Sequence, residues 1–553
     1  MKKILAGLFV AGALFSFSAC SEFLDMTPTD RVSDKTIWET TEAAEYNVNY
    51  LYSYLIDIVN GQSGLGLTES LTDMLKYGSY NYNSHCYIPS EMAYGGTVIT
   101  SGYVDVYMGF WGTMYTAIRK TNQAIFSLKN YGQMSNEDKL RLEGELRFLR
   151  ANMYFDLLKR YKDIIIYDED MTAYTKNKAV SKESEGWDFV QSDLKFAAEN
   201  LPAKAEAKGR IDKGMAYAFT TRAMLYAKRY DAVIAAADEV EKLGYKLEGN
   251  FEDAVKQPIN NGNDEAILQY TFSYADGVTH SLDFYYTPAG DYTLIGQESA
   301  GGGYGTPTQE MVESFELATG GFPDWSQWHT AEGTTVTPPY ADLEPRFHAT
   351  VLYNGAPWKG RKIEPYINGL DGWATWRVER EPKGKTTTGY YLKKLVDEKN
   401  TALTGSEMPI TIMRYAEVLL NKAEACYHAE DAAGANAAIK AIRSRVGLPY
   451  TDKAGENLWA AIRQERKVEL AYEGLWYWDL RRWKVAHKPY PEGLTGYQQH
   501  GLKIEKNNDG TFTYTYVSVD DQDRNFPEKM YRFPMPTGEL NNNGAVDQYP
   551  EWK

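Results

Sequence analysis

Cysteine and histidine are both scarce in this chain, whose 553 residues include three cysteines and seven histidines. So few cysteines cannot form a disulfide framework, and neither Cys86 nor Cys426 suggests a bridge, a metal site or a nucleophile. The histidines are scattered, without a His-Glu-x-x-His zinc motif, and a Gly-x-Ser-x-Gly nucleophile motif is also missing. The sequence therefore predicts no metal, no cofactor and no catalytic residue.

An excess of positive charge is missing as well, because the formal net charge is −16. An acidic protein repels the phosphates of nucleic acids and the headgroups of anionic lipids, so neither is an expected electrostatic partner. Neutral ligands and other proteins are favoured by elimination.

Long hydrophobic runs are confined to the N-terminus, where two lysines precede an apolar stretch over residues 4–17. This stretch is too short to cross a bilayer, which takes roughly 20 apolar residues. The small residues Ser-Ala come directly before Cys20 and resemble the lipobox of bacterial lipoproteins, with Phe17 at the usual leucine position. We predict that residues 1–19 are a signal peptide and that Cys20 is lipid-modified; the alternative is an ordinary secretory signal.

Apolar residues recur at helical spacing through the first half of the chain and again in a late block. Helices are predicted over residues 36–58, 110–128, 136–161, 187–200, 213–227, 230–243, 410–429, 433–445 and 457–472. Ser135 is a plausible N-cap for the third of these helices. Alanine-rich pairs, such as 213–227 with 230–243, are typical of tetratricopeptide-like hairpins, whose apolar faces are buried by stacking.

The middle of the chain, about residues 251–408, is rich in glycine, proline, tyrosine and tryptophan and shows short β-like runs, including 266–270 and 349–353. Near the end, Asn-Asp-Gly at 508–510 separates two alternating segments and predicts a β-hairpin. The predicted fold class is mainly α: tetratricopeptide-like helical hairpins form a scaffold with a large irregular, loop-rich insertion and a few short β-hairpins.

Tyrosine is unusually abundant, with 43 copies. Flat aromatic rings can stack on the apolar faces of sugar rings, and they offer a large contact area with few rotatable bonds. Loop-like sequence concentrates these residues at 77–94 and in the middle insertion. For any single ring a structural role in the core or in a loop is favoured, but we expect at least two of the set to line a shallow glycan platform.

Several sequence motifs are specific enough to indicate a protein family. They are GELRFLRA at 144–151, RYAEVLLNKAEA at 414–425, ERKVELAYEG at 465–474, WDLRRW at 478–483, TPT at 306–308, EPR at 344–346 and YRFPMP at 531–536. Together they resemble the SusD/RagB family of outer-membrane nutrient-binding lipoproteins over nearly the whole chain. One departure is KDII at 162–165, where Gly-Asp-Val-Pro is common.

The resemblance implies one SusD-like unit over residues 20–553. Its helical scaffold is expected at about 36–250 and 409–485, the ligand-side insertion at about 251–408, and an irregular C-terminal segment at 486–553. It further implies a protein that is lipid-anchored in the outer membrane and faces the cell exterior. There it would capture an oligosaccharide or polysaccharide and deliver it to a SusC-type TonB-dependent transporter.

By position in the family, the expected ligand contacts lie in the loop after the first helix and in the segment before the Thr-Pro-Thr motif. The candidate ligand-binding residues are Tyr80, Asn81, Tyr82, Asn83, Tyr285 and Tyr292, followed by Trp325 and Trp328. Two alternatives remain open: a RagB-like peptide-binding lid, and a surface glycosidase, which needs only two suitably spaced carboxylates.

Charged residues in the helical motifs allow either a catalytic or a structural interpretation. Arg466, Glu469 and Glu473 are spaced so that they share one helix face. Their neighbours include leucine and tryptophan, which favours buried ion pairs that join helices. We therefore predict that these residues, with Glu145, Arg147 and Arg150, belong to the scaffold.

Overall fold

The computed structural model describes residues 34–59, 65–77, 91–96, 99–170, 172, 174, 177–205, 209–298, 300–375 and 385–553. The protein is about 47% helical. The N-terminal helices are α1 (Asp34–Ile37), α2 (Thr41–Val59), α3 (Leu65–Ser70), α4 (Ser101–Val104), α5 (Trp111–Tyr131), α6 (Asn136–Tyr161), α7 (Glu183–Asn200), α8 (Lys213–Tyr226) and α9 (Tyr230–Lys242). Among the described residues, no helix has the length and hydrophobicity that crossing a membrane requires.

Helix α6 is the centre of the N-terminal block and packs against α5, α7 and α2. The Ser135 hydroxyl caps it by accepting a hydrogen bond from the Asp138 amide at 3.1 Å, as predicted. The GELRFLRA segment falls in its buried middle, where Leu146, Phe148 and Leu149 are fully buried. Apolar residues therefore occupy several faces of this helix, because neighbouring helices surround it.

The predicted pairing of helices is confirmed in both blocks. Helix α8 packs against α9, and further along the chain α15 (Tyr415–His428) packs against α16 (Ala432–Arg445). Small residues such as Ala216 and Ala423 are fully buried at these helices, which allows their backbones to approach closely. The two pairs also pack on each other through α9 and α15, so they stack like repeats.

The middle and C-terminal parts hold the remaining elements. These helices are α10 (Phe251–Lys256), α11 (Leu282–Tyr286), α12 (Ala289–Leu294), α13 (Gln309–Val312), α14 (Pro345–Thr350), α17 (Gly455–Glu469), α18 (Trp476–Arg482) and α19 (Thr537–Asn542). The strands are β1 (Leu75–Tyr77), β2 (Ala266–Tyr270), β3 (Gly305–Pro307), β4 (Val351–Leu352), β5 (Pro357–Trp358), β6 (Arg361–Lys362), β7 (Tyr391–Leu392), β8 (Ile410–Arg414), β9 (His500–Lys506) and β10 (Phe512–Ser518).

All five strand pairs within the described residues are antiparallel: β1 with β3, β2 with β8, β4 with β7, β5 with β6, and β9 with β10. The predicted hairpin around residues 508–510 is confirmed as β9–β10, with Lys506 opposite Phe512. Gly510 lies in this turn at φ +86°, a conformation that glycine adopts without strain.

Several predicted helix boundaries differ from the structure: the predicted helix 36–58 is divided between α1 and α2, and α7 begins at Glu183 instead of residue 187. The largest difference is at 410–414. Residues 410–414 form strand β8 rather than the first turn of a helix, and α15 begins at Tyr415. The reason is long-range pairing: Ala266 in β2 lies opposite Arg414 in β8. This pairing connects two segments that are far apart in the sequence. The run at 349–353 is also divided, between α14 and β4.

Buried ion pairs connect these elements, as predicted for the charged motifs. Arg414 reaches Glu265 and Glu469 with one nitrogen, at 2.6 Å each, and Glu473 with another at 2.7 Å. Glu469 also accepts from Arg445 at 2.5 Å and from Arg346 at 3.2 Å. Burial by itself would raise the pKa of Glu469, but the three arginines hold it below its ordinary value.

The motif residues of α6 belong to a second network of the same kind. Arg150 donates to both carboxylate oxygens of Asp193 on α7, at 2.7 and 2.8 Å, and to the amide oxygen of Asn122 on α5. Glu145 accepts from Arg210 at 2.8 Å and from the Tyr52 hydroxyl at 2.7 Å. The structural interpretation therefore fits these motif residues.

Replacing Glu469 by alanine tests the first network. The substitution leaves Arg414, Arg445 and Arg346 buried without their shared carboxylate, so we expect the free energy of unfolding to fall by about 3–5 kcal/mol. Urea denaturation followed by circular dichroism measures this loss. The control is Glu239→Ala, which removes an exposed pair with Lys242 and should change stability by less than about 1 kcal/mol. Similar losses in the two variants would contradict the structural role of Glu469.

Candidate ligand-binding surface

The β1–β3 pair lies beside one of the two segments that the sequence selects as ligand contacts. Tyr77, the last residue of β1, lies opposite Gly305. Tyr304, directly before Gly305, donates its backbone N–H to the carbonyl oxygen of Tyr285 at 2.8 Å. Tyr80, Asn81, Tyr82 and Asn83 follow Tyr77 along the chain but lie outside the described residues, so their predicted role stays a prediction.

Three half-buried rings lie close together next to this strand pair, and we call them the ring cluster: Phe284, Tyr285 and Tyr304. The ring centroids of Tyr285 and Tyr304 are 5.2 Å apart at an interplanar angle of 60°. Phe284 lies 5.0 Å from Tyr285 and 6.2 Å from Tyr304. The rings thus form an angled apolar surface, and the exposed side chains of Leu294 and Ile295 follow at the end of α12.

A glycine loop holds the ring cluster in place. Gly302 and Gly303 donate their N–H groups to the carbonyl oxygens of Phe284 and Thr287, at 2.7 and 2.9 Å. Gly302 has φ +82°, and a Cβ atom there would lie 2.6 Å from the Thr287 oxygen. Only glycine fits this close approach without a shift of the backbone. The loop therefore fixes Tyr304 beside Tyr285.

Of the predicted contacts in the middle segment, Tyr285 belongs to the ring cluster and Tyr292 does not reach the surface. Tyr292 is 2% exposed, and its hydroxyl donates to the Leu403 carbonyl oxygen at 3.4 Å. Burial raises the pKa of this tyrosine above its ordinary value. The expectation that Tyr292 presents a ring to the solvent is wrong, because α12 turns it towards the interior.

The expectation of exposed rings is also wrong for Trp325 and Trp328. Their ring centroids are 5.4 Å apart, and both side chains belong to the core at 6% and 4% exposure. The Trp328 indole N–H donates to the carbonyl oxygen of Val336 at 2.8 Å. Large apolar rings gain most from burial, and here the chain closes over them. Ligand contact by either tryptophan is untested.

The carboxylates near the ring cluster are engaged in the fold. Arg361 bridges Asp291 at 2.6 Å and Asp371 at 2.7 Å. Asp283 is fully buried and accepts the Asp397 amide at 2.7 Å, and burial raises its pKa. These three carboxylates therefore hold the insertion together, and none of them forms an opposed pair facing the solvent.

Sequence reasoning missed Phe284 and Tyr304 as members of the surface. Tyr304 stands two residues before the Thr-Pro-Thr motif at 306–308, and this position was the available signal. A further missed residue is Tyr274, which is 74% exposed on a tight turn closed by Ser273 and Val278. Among the described residues, no group of three His, Cys, Asp or Glu side chains is arranged to hold a metal ion.

Comparison with known proteins identifies the family to which this architecture belongs. A model of the SusD family matches residues 264–552. The chain belongs to the SusD family. A second SusD-like model, described as starch-binding and associating with the outer membrane, matches residues 22–225. The predicted family and the predicted helical fold class are thereby confirmed.

Individual SusD-family relatives match the chain over most of its length. A SusD-like protein of Bacteroides ovatus is 23% identical over 538 residues, which cover 93% of this chain and 89% of that protein. A solved SusD-like structure from Bacteroides fragilis has a TM-score of 0.79 at 28% identity, covering 95% of this chain and all of that one. A solved SusD-like carbohydrate binding protein of the same species has a TM-score of 0.76 at 22% identity, with 93% and 100% coverage.

The burial of Trp328 in the core of this SusD-family protein leads to a testable prediction. Trp328→Ala should lower the free energy of unfolding by about 3–5 kcal/mol, because it removes a buried ring and leaves a cavity. Thermal or urea unfolding measures this loss. Tyr274→Ala is the control, since its exposed ring should contribute less than about 0.5 kcal/mol. A Trp328 variant as stable as the wild type would show that the ring is not part of the core.

Proposed function

We propose that the protein binds a glycan at the surface formed by the ring cluster and does no chemistry on it. The observation that carries the proposal is the fixed angle between the half-buried rings of Tyr285 and Tyr304. A sugar ring has an apolar face, and a rigid aromatic ring offers a matching area with little entropy to lose. Two rings at 60° suit a curved saccharide chain better than a flat one.

The family supports the class of ligand. One family description names starch binding and association with the outer membrane, and a protein of the same fold is named as carbohydrate binding. Half-buried rings give modest affinity, because only the exposed part of each ring can be covered by a ligand. Modest affinity suits a protein that must release what it captures.

The finer parts of the function belong to the same proposal. Cys20 carries the lipid anchor, the protein faces the cell exterior, and a SusC-type TonB-dependent transporter receives the glycan. The stacked helical pairs α8–α9 and α15–α16 provide a rigid side for contact with that transporter. The engagement of Asp283, Asp291 and Asp371 in the fold supports a binding protein over a glycosidase, since a glycosidase needs two carboxylates that reach the substrate.

Alanine substitutions in the ring cluster test glycan binding. We expect Tyr285→Ala and Tyr304→Ala each to weaken binding of the best neutral oligosaccharide by about tenfold, because each removes a stacking ring worth about 0.5–1.5 kcal/mol beyond its area. Isothermal titration calorimetry against a panel of neutral plant and host oligosaccharides measures the change. Native mass spectrometry of the purified protein provides a second reading of any bound saccharide or peptide.

The control for these variants is Tyr46→Ala, which removes a 70% exposed ring from helix α2. It should leave the affinity unchanged, and the unfolding curves of all three variants should overlay well enough to exclude loss of fold. Neutral oligosaccharides that bind the two ring-cluster variants as tightly as the wild type would refute the proposed surface. Co-purified peptides in place of saccharide would favour a peptide-binding lid.

The anchor is tested by Cys20→Ser. Without the thiol no acyl chain can be attached, and the acyl chains are what hold a lipoprotein at the membrane. We expect the variant to move from the membrane fraction to the soluble fraction, measured by fractionation and immunoblotting. A variant that remains quantitatively with the outer membrane would disprove lipid anchoring through Cys20.

A further inference from the structure

A cavity apart from the ring cluster lies in the helical scaffold. Its walls come from the C-terminal ends of α6 and α18, the start of α7 and the turn between α8 and α9. This cavity has a volume of about 880 Å³, within the roughly 300–1,000 Å³ typical of small-molecule sites. Its walls carry nine lysine and arginine residues but four acidic ones, in a chain whose net charge is −16. We call it the lysine cavity, and none of its lining residues belongs to the ring cluster.

Three lysines at the cavity adopt a backbone conformation that disfavours any residue with a side chain. Lys162, Lys228 and Lys484 have φ values of +68°, +59° and +61°. They come directly after or two residues after the ends of α6, α8 and α18. Glycine is the usual residue at such positions. A lysine near a helix end also interacts favourably with the helix dipole, but an unstrained position in the last turn would serve that purpose equally.

Several of the positive charges are not matched by carboxylates. Within the part of the chain that the structure describes, Lys228 and Lys484 form no ion pair. Arg481 is 4% exposed and donates to neutral acceptors, the carbonyl oxygens of Met530 and Lys159. A buried guanidinium without a carboxylate leaves a positive potential that favours an anion.

Three of the four acidic residues of the wall form ion pairs with lysine or arginine residues of the same wall. Glu183 pairs with Lys162 at 3.1 Å, and Arg532 takes Asp163 at 3.3 Å and Glu551 at 2.8 Å. The surrounding positive charge also affects the pKa of Lys484. Burial lowers the pKa of Lys484, and the charges of Lys162 and Arg481 lower it further.

The aromatic rings of the cavity hold cations in place. Lys159 and Arg481 lie over the ring of Trp478, at 4.8 and 4.7 Å from its centroid. The ammonium of Lys484 lies 3.9 Å from the centroid of Tyr531. These rings take part in cation–π contacts, which orient the positive groups. Recognition in this cavity therefore depends on charge, in contrast to the ring cluster.

We propose that the lysine cavity is a second ligand site, which binds an acidic saccharide through its carboxylate or sulfate groups. Lys228 and Lys484 hold the anionic groups at the entrance, and buried Arg481 supplies positive potential to the same cavity. That the ligand is a sugar rests on the proposed glycan-binding function. The exposed carboxylate of Glu528 suits a saccharide, because it accepts hydrogen bonds from hydroxyl groups but repels a continuous acidic peptide.

Calorimetry with charged and neutral saccharides tests the proposal. The probes are trigalacturonate and a chondroitin sulfate tetrasaccharide. The first is compared with its carboxyl-reduced counterpart, and the second with a counterpart that is both desulfated and carboxyl-reduced. We expect the wild type to bind at least one charged probe, and to bind it at least about tenfold more tightly than the neutral counterpart. Lys228→Gln with Lys484→Gln should weaken this binding about tenfold, and raising the salt concentration should also weaken it.

The matched control removes the same charge elsewhere, with Lys195→Gln and Lys246→Gln, whose side chains are 73% and 70% exposed. This double variant should bind the charged probe like the wild type, which excludes an effect of net charge alone. Tyr304→Ala should leave the charged probe bound at the cavity, whereas the lysine variant should leave the binding of neutral saccharide unchanged. The Tyr304 variant and the lysine variant therefore show separately whether the ring cluster or the lysine cavity fails to bind its saccharide.

Three outcomes would overturn the proposal. The first is that neither charged probe binds. The second is that the Lys228/Lys484 double variant binds a charged probe as tightly as the Lys195/Lys246 control. The third is that a hexaglutamate peptide binds with the same dependence on Lys228 and Lys484 while both saccharides fail, which would make the site one for acidic protein segments.

Discussion

The fold depends on a buried network of charges around Glu469. A carboxylate and several guanidinium groups are costly to bury, and the arrangement is tolerated only because each finds its partners at hydrogen-bond distance. Arg414 ends strand β8, Arg346 lies in α14, Arg445 ends α16 and Glu469 ends α17. A displacement of any one of these elements would leave a buried charge unpaired. The network therefore fixes how the insertion is joined to the helical scaffold.

The position of the ring cluster follows from this constraint. The pairing of Ala266 with Arg414 connects β2 to β8 next to the network. Within the insertion, the Arg361 bridge to Asp291 and Asp371 fixes the region of α12, and the glycine loop sets Tyr304 against Tyr285. Irregular sequence thus becomes a rigid surface through ion pairs and close backbone approaches, without extended regular secondary structure. Because the rings of such a surface are already ordered, ligand binding loses little entropy in ordering them.

Local signals in the sequence were sufficient for the helices and for the β9–β10 hairpin, because periodicity, the Ser135 cap and the Asn-Asp-Gly turn act over a few residues. They failed at residues 410–414, where the apolar run resembles a helix start and only the distant strand β2 makes it a strand. They also failed for Tyr292, Trp325 and Trp328, since a tyrosine or tryptophan in loop-like sequence is as suitable for the core as for a ligand surface. Which of these rings are buried is decided by packing that composition does not reveal.

The same limit explains why the lysine cavity could not be found in the sequence. Lys162 falls in the KDII segment that departs from the family pattern, but Lys228 and Lys484 lie about 66 and 322 residues further along. Only the stacking of α6, α8 and α18 brings the ends of these helices to one cavity. The aromatic residues of the chain then serve two physical purposes. The half-buried rings of Tyr285 and Tyr304 form the proposed sugar-binding surface. The rings of Trp478 and Tyr531 lie against cations and position charge.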